Sequence, residues 1–183
     1  MGKVETYGGE LATVWRPTGN DTVNFSMAYL EAYVAESHIA VVNTTPIEQV
    51  DVNGETMPES PKWMVNASYE RRFDFEPGSL LLRADGRYTS EQYLEGFNHL
   101  ATGMTPVSYN NGTTVMYRIG DLFVVKDHTT YDFTATYMVS NSRYSVTAYV
   151  KNITDDYYKI FAAMPFTRVT APRTYGATFT VRF

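Results

Sequence analysis

Cysteine is absent from all 183 residues, which excludes both a disulfide framework and a thiolate metal site. No stretch reaches the roughly 18 uncharged apolar residues that a membrane-spanning helix needs. The opening Met1-Gly2-Lys3-Val4-Glu5-Thr6 also lacks the apolar core of a secretory signal. Charge is scarce: Asp, Glu, Lys and Arg make up 19% of the chain, against roughly 25% in an ordinary soluble domain. The 15 Lys and Arg are scattered singly against 20 Asp and Glu, for a net charge of -5. No basic patch is offered to nucleic acid, which is excluded as a partner. In excess are aromatic residues, 15% of the chain with 15 Tyr among them. The length suits one domain or a piece of something larger. Hydropathy alone would pass the chain as soluble, but membrane strands alternate lipid-facing and lumen-facing residues and average to neutral.

A period of two recurs along the chain, as in a strand with two unlike faces. Leu80, Leu82, Ala84, Gly86 and Tyr88 alternate with Leu81, Arg83, Asp85, Arg87 and Thr89. Tyr131, Phe133, Ala135, Tyr137 and Val139 alternate with Thr130, Asp132, Thr134, Thr136 and Met138. Tyr144 to Lys151 and Thr174 to Phe183 repeat the pattern, and Tyr7 to Trp15, Val23 to Tyr29 and Trp63 to Tyr69 follow it more loosely. Ala28 to Val34 has the composition of a short helix but continues a strand already begun. Seven strands and an all-β architecture are the expectation.

A soluble β-sandwich binding module would show the same alternation. Two further signals favour a transmembrane sheet. Small or aliphatic residues hold the strand centres, while Tyr and Trp sit near the ends, as in Tyr7 with Trp15 and Tyr131 with Tyr137. Eight residues at about 3.3 Å each, tilted near 45°, cover roughly 19 Å, comparable with an apolar band about 25 Å tall between aromatic girdles. The connections also alternate strictly: Pro17 to Asp21, Asp74 to Ser79 and Asn141 to Arg143 are short, whereas Ser37 to Pro61, Glu95 to Thr129 and Ile153 to Arg173 are long. Outer-membrane barrels have tight periplasmic turns and long extracellular loops. The expected fold is an antiparallel up-and-down transmembrane β-barrel segment in the bacterial outer membrane. Val115 to Val125 is expected to extend the strand that follows it.

Three pieces of the chain resemble a known family. Val4-Glu5-Thr6-Tyr7-Gly8-Gly9-Glu10-Leu11 is similar to a barrel strand of TonB-dependent receptors. Tyr149-Val150-Lys151-Asn152-Ile153-Thr154-Asp155 resembles the segment after their penultimate strand, and Pro172-Arg173-Thr174-Tyr175-Gly176 leads to a terminal Phe183 as theirs does. The resemblance covers essentially the whole chain. It implies that residues 1–183 are the C-terminal portion of a barrel of about 22 strands, without the family's plug domain, signal peptide and TonB box, Met1 being a fragment boundary. It further implies TonB-dependent uptake of a scarce nutrient such as an iron–siderophore complex, with TonB engaged through the missing N-terminal region. The surrounding lipid would be that of the outer membrane, and Phe183 would be the signal read by the barrel assembly machinery. Extracellular loops bind ligand in this family, making His99, Tyr109 and Tyr117 candidate contacts.

No nucleophile elbow, phosphate loop, HExxH or paired-carboxylate motif is present, so neither an enzyme nor a cofactor is expected. His38, His99 and His128 lie in or beside long loops, and without a second ligand at metal spacing they read as solvated or rim imidazoles. Asn152, Asp155 and Asp156 suggest calcium only superficially, since such a site needs six or more oxygens. The better reading is a turn fixed by side-chain to backbone hydrogen bonds. Glu70, Arg72, Arg83, Asp85, Arg87, Asp132, Lys151 and Arg182 fall on the polar faces. They could line a path or grip a plug, but the favoured reading is that they pair across neighbouring strands inside the barrel. A small complete barrel with an eighth strand is the structural alternative to the receptor.

Overall fold

The computed structural model describes residues 2–37, 53–94, 104–108, 112, 114–118, 123–139, 143–163 and 166–182. Seven long strands form its main sheet: β1 (Lys3–Trp15), β2 (Asp21–Glu36), β3 (Trp63–Phe75), β4 (Gly78–Thr89), β9 (His128–Val139), β10 (Tyr144–Lys151) and β13 (Thr174–Val181). Each pairs antiparallel with its neighbours in that order. All seven coincide with the segments of period two, and the Ala28 to Val34 stretch is strand, as its continuation of β2 requires.

Six shorter strands lie in the long connections: β5 (Gln92–Tyr93), β6 (Met104–Ser108), β7 (Thr114–Arg118), β8 (Val124–Val125), β11 (Lys159–Ala163) and β12 (Phe166–Val169). They form three separate pairs, β5 with β8, β6 with β7, and β11 with β12. Val115 to Val125 therefore does not extend β9. Its first part returns against β6 and its last two residues pair with β5. Local apolar content marked this segment as strand, but its first part turns back on β6 in a hairpin and only Val124 and Val125 find a distant partner.

The register gives the sheet two unlike faces. Residues directly opposite in an antiparallel ladder share a face, and one row runs Trp15, Val23, Tyr69, Ala84, Phe133, Val150, Tyr175 across all seven strands. The next rows on this face are equally apolar; Thr13, Phe25, Ala67, Gly86 and Tyr131 form one of them. On the other face Asn24, Ser68, Asp85 and Asp132 stand in line. That polar face is concave and encloses a hollow of about 440 Å³ lined by Asn24, Asn66, Ser68, Arg83, Asp85 and Arg87, among others.

Two charged rims bound the apolar face. Asp21 meets Arg71 at 3.5 Å and accepts from the Tyr69 hydroxyl at 2.6 Å at the short-turn end. Glu31 meets Lys62 at 2.7 Å near the long-loop end. Asp21 and Glu31 are ten residues apart on β2. At about 3.3 Å per residue and a 45° tilt this is roughly 23 Å of height, close to the apolar band of a membrane barrel.

A soluble sheet would bury one face. Here the buried apolar residues among those described are only Ala32, Val34, Phe123 and Val125, all toward the long-loop end. Large apolar groups stay open on the outward face, with Tyr175 79% and Phe179 64% exposed. The long connections are laced to the sheet and to each other at this end: Val34 N–H donates to Glu55 O at 2.9 Å, Glu59 N–H to Tyr93 O at 2.7 Å and Leu94 N–H to Phe123 O at 2.9 Å. The sheet is open, with β1 and β13 at its edges. Seven alternating strands leave both edges running the same way, so no antiparallel ladder can join them.

Candidate functional site

The concave face carries a graded set of polar contacts. Asn24 Nδ2 donates to Ser68 Oγ at 3.0 Å, and Asn66 Nδ2 returns across the same pair of strands to Ser26 Oγ at 3.3 Å. Arg87 Nε donates to Asn66 Oδ1 at 3.1 Å. Arg83 grips Asp85 through Nε at 3.0 Å and Nη2 at 2.7 Å, and lies 3.8 Å from Glu70 on β3. Arg72 holds Asp74 at 2.6 Å. These charges pair mostly along one strand rather than across two, because residues i and i+2 on one face lie within reach of an arginine side chain. The Arg83–Glu70 contact and the Arg87–Asn66 bond are the cross-strand members. Lys151 instead lies 5.8 Å over the Tyr149 ring. A polar, charged concave face opposite an apolar convex one is what a barrel lumen requires.

At the long-loop end the turn after β10 is a hydrogen-bonded knot. Asn152 and Asp155 both take positive φ, 53° and 59°, which Asn and Asp tolerate better than other side chains. Asn152 Oδ1 accepts from Asp156 N–H at 3.2 Å, and its Nδ2 donates to Asp156 O at 2.9 Å and Ala171 O at 3.3 Å. Asp155 Oδ1 accepts from Arg173 N–H at 2.7 Å and from the Tyr157 hydroxyl at 3.2 Å. Asp132 Oδ1 accepts from Asn152 N–H at 2.9 Å, fastening the knot to β9. The two feet of the last long connection are thus tied to each other and to the sheet. This is the turn role expected of Asn152 and Asp155, and no group of three metal-ligating side chains occurs among the described residues.

A cleft of about 1170 Å³ opens beside this knot, between the segment before β9 and the start of the last long connection. Lys126, His128, Tyr157, Tyr158 and Lys159 are among its walls. His128 stacks on Tyr158 with ring centroids 3.6 Å apart, and its Nδ1 donates to Lys126 O at 3.0 Å. Partial desolvation, followed by the neighbouring Asp155 carboxylate and the hydrogen bond to it, raises the Tyr157 phenol above its ordinary pKa. At the rim of the apolar face, the hydrogen bond that Lys62 donates to Glu31 raises its pKa above the ordinary lysine value.

Of the residues singled out from sequence, His128 reaches this cleft. His38, His99, Tyr109 and Phe183 lie outside the described residues. Tyr117 falls on β7, in a pair separate from the main sheet, and its side chain is also outside the description. Sequence reasoning missed Tyr157 and Tyr158; the signal was an aromatic pair directly after Asp155-Asp156, read only as a turn.

Residues 1–153 match the family model described as the β-barrel of TonB-dependent receptor-like proteins. No curated protein matches the chain in sequence. Among solved structures, the ferric yersiniabactin uptake receptor FyuA of Yersinia pestis matches over 100% of this chain and 24% of its own, with a TM-score of 0.72 at 17% identity. The siderophore receptor PiuA of Acinetobacter baumannii matches over 98% of this chain and 22% of its own, with a TM-score of 0.70 at 17% identity. The ferric preacinetobactin receptor BauA of the same organism gives 98% and 22% coverage, a TM-score of 0.68 and 18% identity. The chain therefore spans about a quarter of the length of these receptors, and its open sheet shares the fold of part of their chains. With two-faced strands, charged rims at membrane spacing and a family match over most of its length, the chain belongs to the TonB-dependent receptor-like β-barrels, proteins of the bacterial outer membrane.

Proposed function

We propose that the chain is the C-terminal arc of the barrel of an active-transport receptor, and that the full receptor imports an iron–siderophore complex. One observation carries the reading: the family match extends over residues 1–153 on a sheet whose edge strands cannot close on each other. The remaining strands, a plug and the segment that engages TonB would lie in the part of the receptor before this chain. Those strands would pair with β1 and β13, whose backbone N–H and C=O groups lipid cannot satisfy. Phe183 would be read by the assembly machinery. The substrate crosses unchanged, so no residue acts as a catalyst. His99, Tyr109 and Tyr117 would contact ligand from the long loops, and the cleft beside His128 and Tyr158 adds a second aromatic wall at the same end. The concave face, with Arg83, Asp85 and Arg87, would meet the plug.

The test is uptake of radio-iron chelates by iron-starved cells carrying or lacking the full-length receptor gene, each with and without TonB. Loss of accumulation for at least one chelate on removing either gene supports the reading. TonB-independent leakage of small solutes would instead make this a porin-like barrel.

A further inference from the structure

At the long-loop end β9 outruns its partner. On the β4 side it is paired all the way from Val139 to His128, and Val124 and Val125 before it pair with β5. On the β10 side the ladder ends at Phe133 opposite Val150, because the knot of Asn152 and Asp155 turns the chain away after Lys151. One more bond follows, from Ile153 N–H to Tyr131 O at 2.9 Å. Backbone groups of residues two apart in a strand point the same way, so this bond fixes the direction of every group in β9. Tyr131 turns its C=O toward β10. Thr129 therefore turns its N–H and C=O to the same side, into the cleft of about 1170 Å³ that it lines.

Among the described residues no backbone group answers Thr129 on this side. Unlike β1 and β13, this edge lies inside the arc, where the neighbouring strands on both sides are already in place. An unanswered strand edge is the template on which an extended peptide adds by main-chain hydrogen bonds. The side chains around the edge fit the same occupant. The cleft walls carry Glu91, Asp127 and Asp156 together with Lys126 and Lys159, so both signs are present and net charge selects nothing. His128 flanks Thr129 on the concave side, in the row next to Asp132, and its ring is stacked on Tyr158 at 3.6 Å. A residue paired with Thr129 would place its own two neighbours on that side, beside a flat aromatic surface.

From this register we infer that the cleft binds a linear peptide portion of the imported ligand, which adds to β9 as a short strand by exchanging N–H and C=O bonds with Thr129. Specificity would lie in the backbone of the ligand and in a planar side chain next to the paired residue. The inference deepens the transport reading and rests on it for the source of the peptide.

The probes are ferric desferrioxamine B, the same chelate carrying an acetylated valine-tyrosine-valine tail on its terminal amine, and that tailed chelate with its tail amides N-methylated. Binding to the full-length receptor in nanodiscs is read by quenching of tryptophan fluorescence. The tailed chelate should bind about tenfold more tightly than either of the others, the worth of two edge hydrogen bonds. Thr129→Pro removes the edge N–H and leaves the β4 ladder whole, since Thr129 makes no backbone bond on that side. It should cut the preference for the tail about threefold, whereas Thr129→Val, which keeps the N–H, should preserve it. Should Thr129→Pro lose heat-modifiable gel mobility, the N-methylated tail on the unmodified receptor decides alone. Equal affinity for the tailed and N-methylated chelates, binding of neither, or an undiminished preference in folded Thr129→Pro would overturn the site. TonB-dependent uptake of radio-iron chelates is read separately; its absence with the tail preference intact would overturn the transport reading instead.

Discussion

Ala148 is the position at which the membrane reading is most exposed to experiment. It stands in the middle of β10, opposite Ala135 on β9 and Ala177 on β13, in an outward row of small side chains. It is four residues from Tyr144 and three from Lys151 at the strand ends. At about 3.3 Å per residue and a 45° tilt it lies roughly 9 Å inside the apolar band from the short-turn end. An arginine this deep on the lipid face costs about 2–4 kcal/mol, against about 0–1 near an interface. Ala148→Arg should therefore shift the folding equilibrium roughly 30- to 900-fold. Thr178→Arg is the matched control. It lies on the neighbouring strand, one position from Ala177 and hence on the concave face, and is exposed there. Folding of the full-length receptor into vesicles, followed by heat-modifiable mobility across a urea series, gives both values. Equal midpoints for the two variants would refute the assignment of faces.

Other expectations follow from single contacts. A Cβ at Gly176 would come within 2.6 Å of the Tyr149 hydroxyl, so Gly176→Val should destabilise by about 1–3 kcal/mol; Tyr149→Ala in the same chain should restore part of this in the urea midpoint. Asp155→Ala removes the acceptor for Arg173 N–H and the Tyr157 hydroxyl, a loss of about 1–3 kcal/mol at the foot of the last loop. Its readout is faster protease cleavage between Tyr157 and Thr170 with the barrel intact. An epitope inserted after Gly112 should be reached by antibody on intact cells, whereas one after Gly19 in the first tight turn should be reached only after permeabilisation; the opposite pattern would invert the topology.

The sheet was legible in the sequence because a period of two is a local property. In β4 and β9 most residues declare their face by their own chemistry, Leu81 and Met138 being exceptions, and the alternation of short and long connections supplied the direction. What could not be read locally depended on distant partners. Val124 and Val125 look like any apolar dipeptide until Gln92 and Tyr93 pair with them, and the Tyr158 ring gains its meaning only from His128, thirty residues earlier. The outward charges are instructive too. Arg71 and Glu31 interrupt apolar faces, yet each lies at a rim where Asp21 or Lys62 answers it, so they fix the limits of the band. The candidate site was less legible than the fold: the turn chemistry of Asn152 and Asp155 was visible, while the cleft beside it was not.

The central claim is that one face of this sheet meets lipid and the other a lumen. These 183 residues contain no cysteine, so in the full-length receptor, with any cysteine elsewhere replaced, single spin labels can be placed one at a time from Tyr144 to Lys151 and the protein reconstituted in bilayers. Accessibility to dissolved oxygen should alternate with a period of two, high at Tyr144, Val146, Ala148 and Val150 and low at Ser145, Thr147, Tyr149 and Lys151. A flat profile, or one with the opposite phase, would contradict the account.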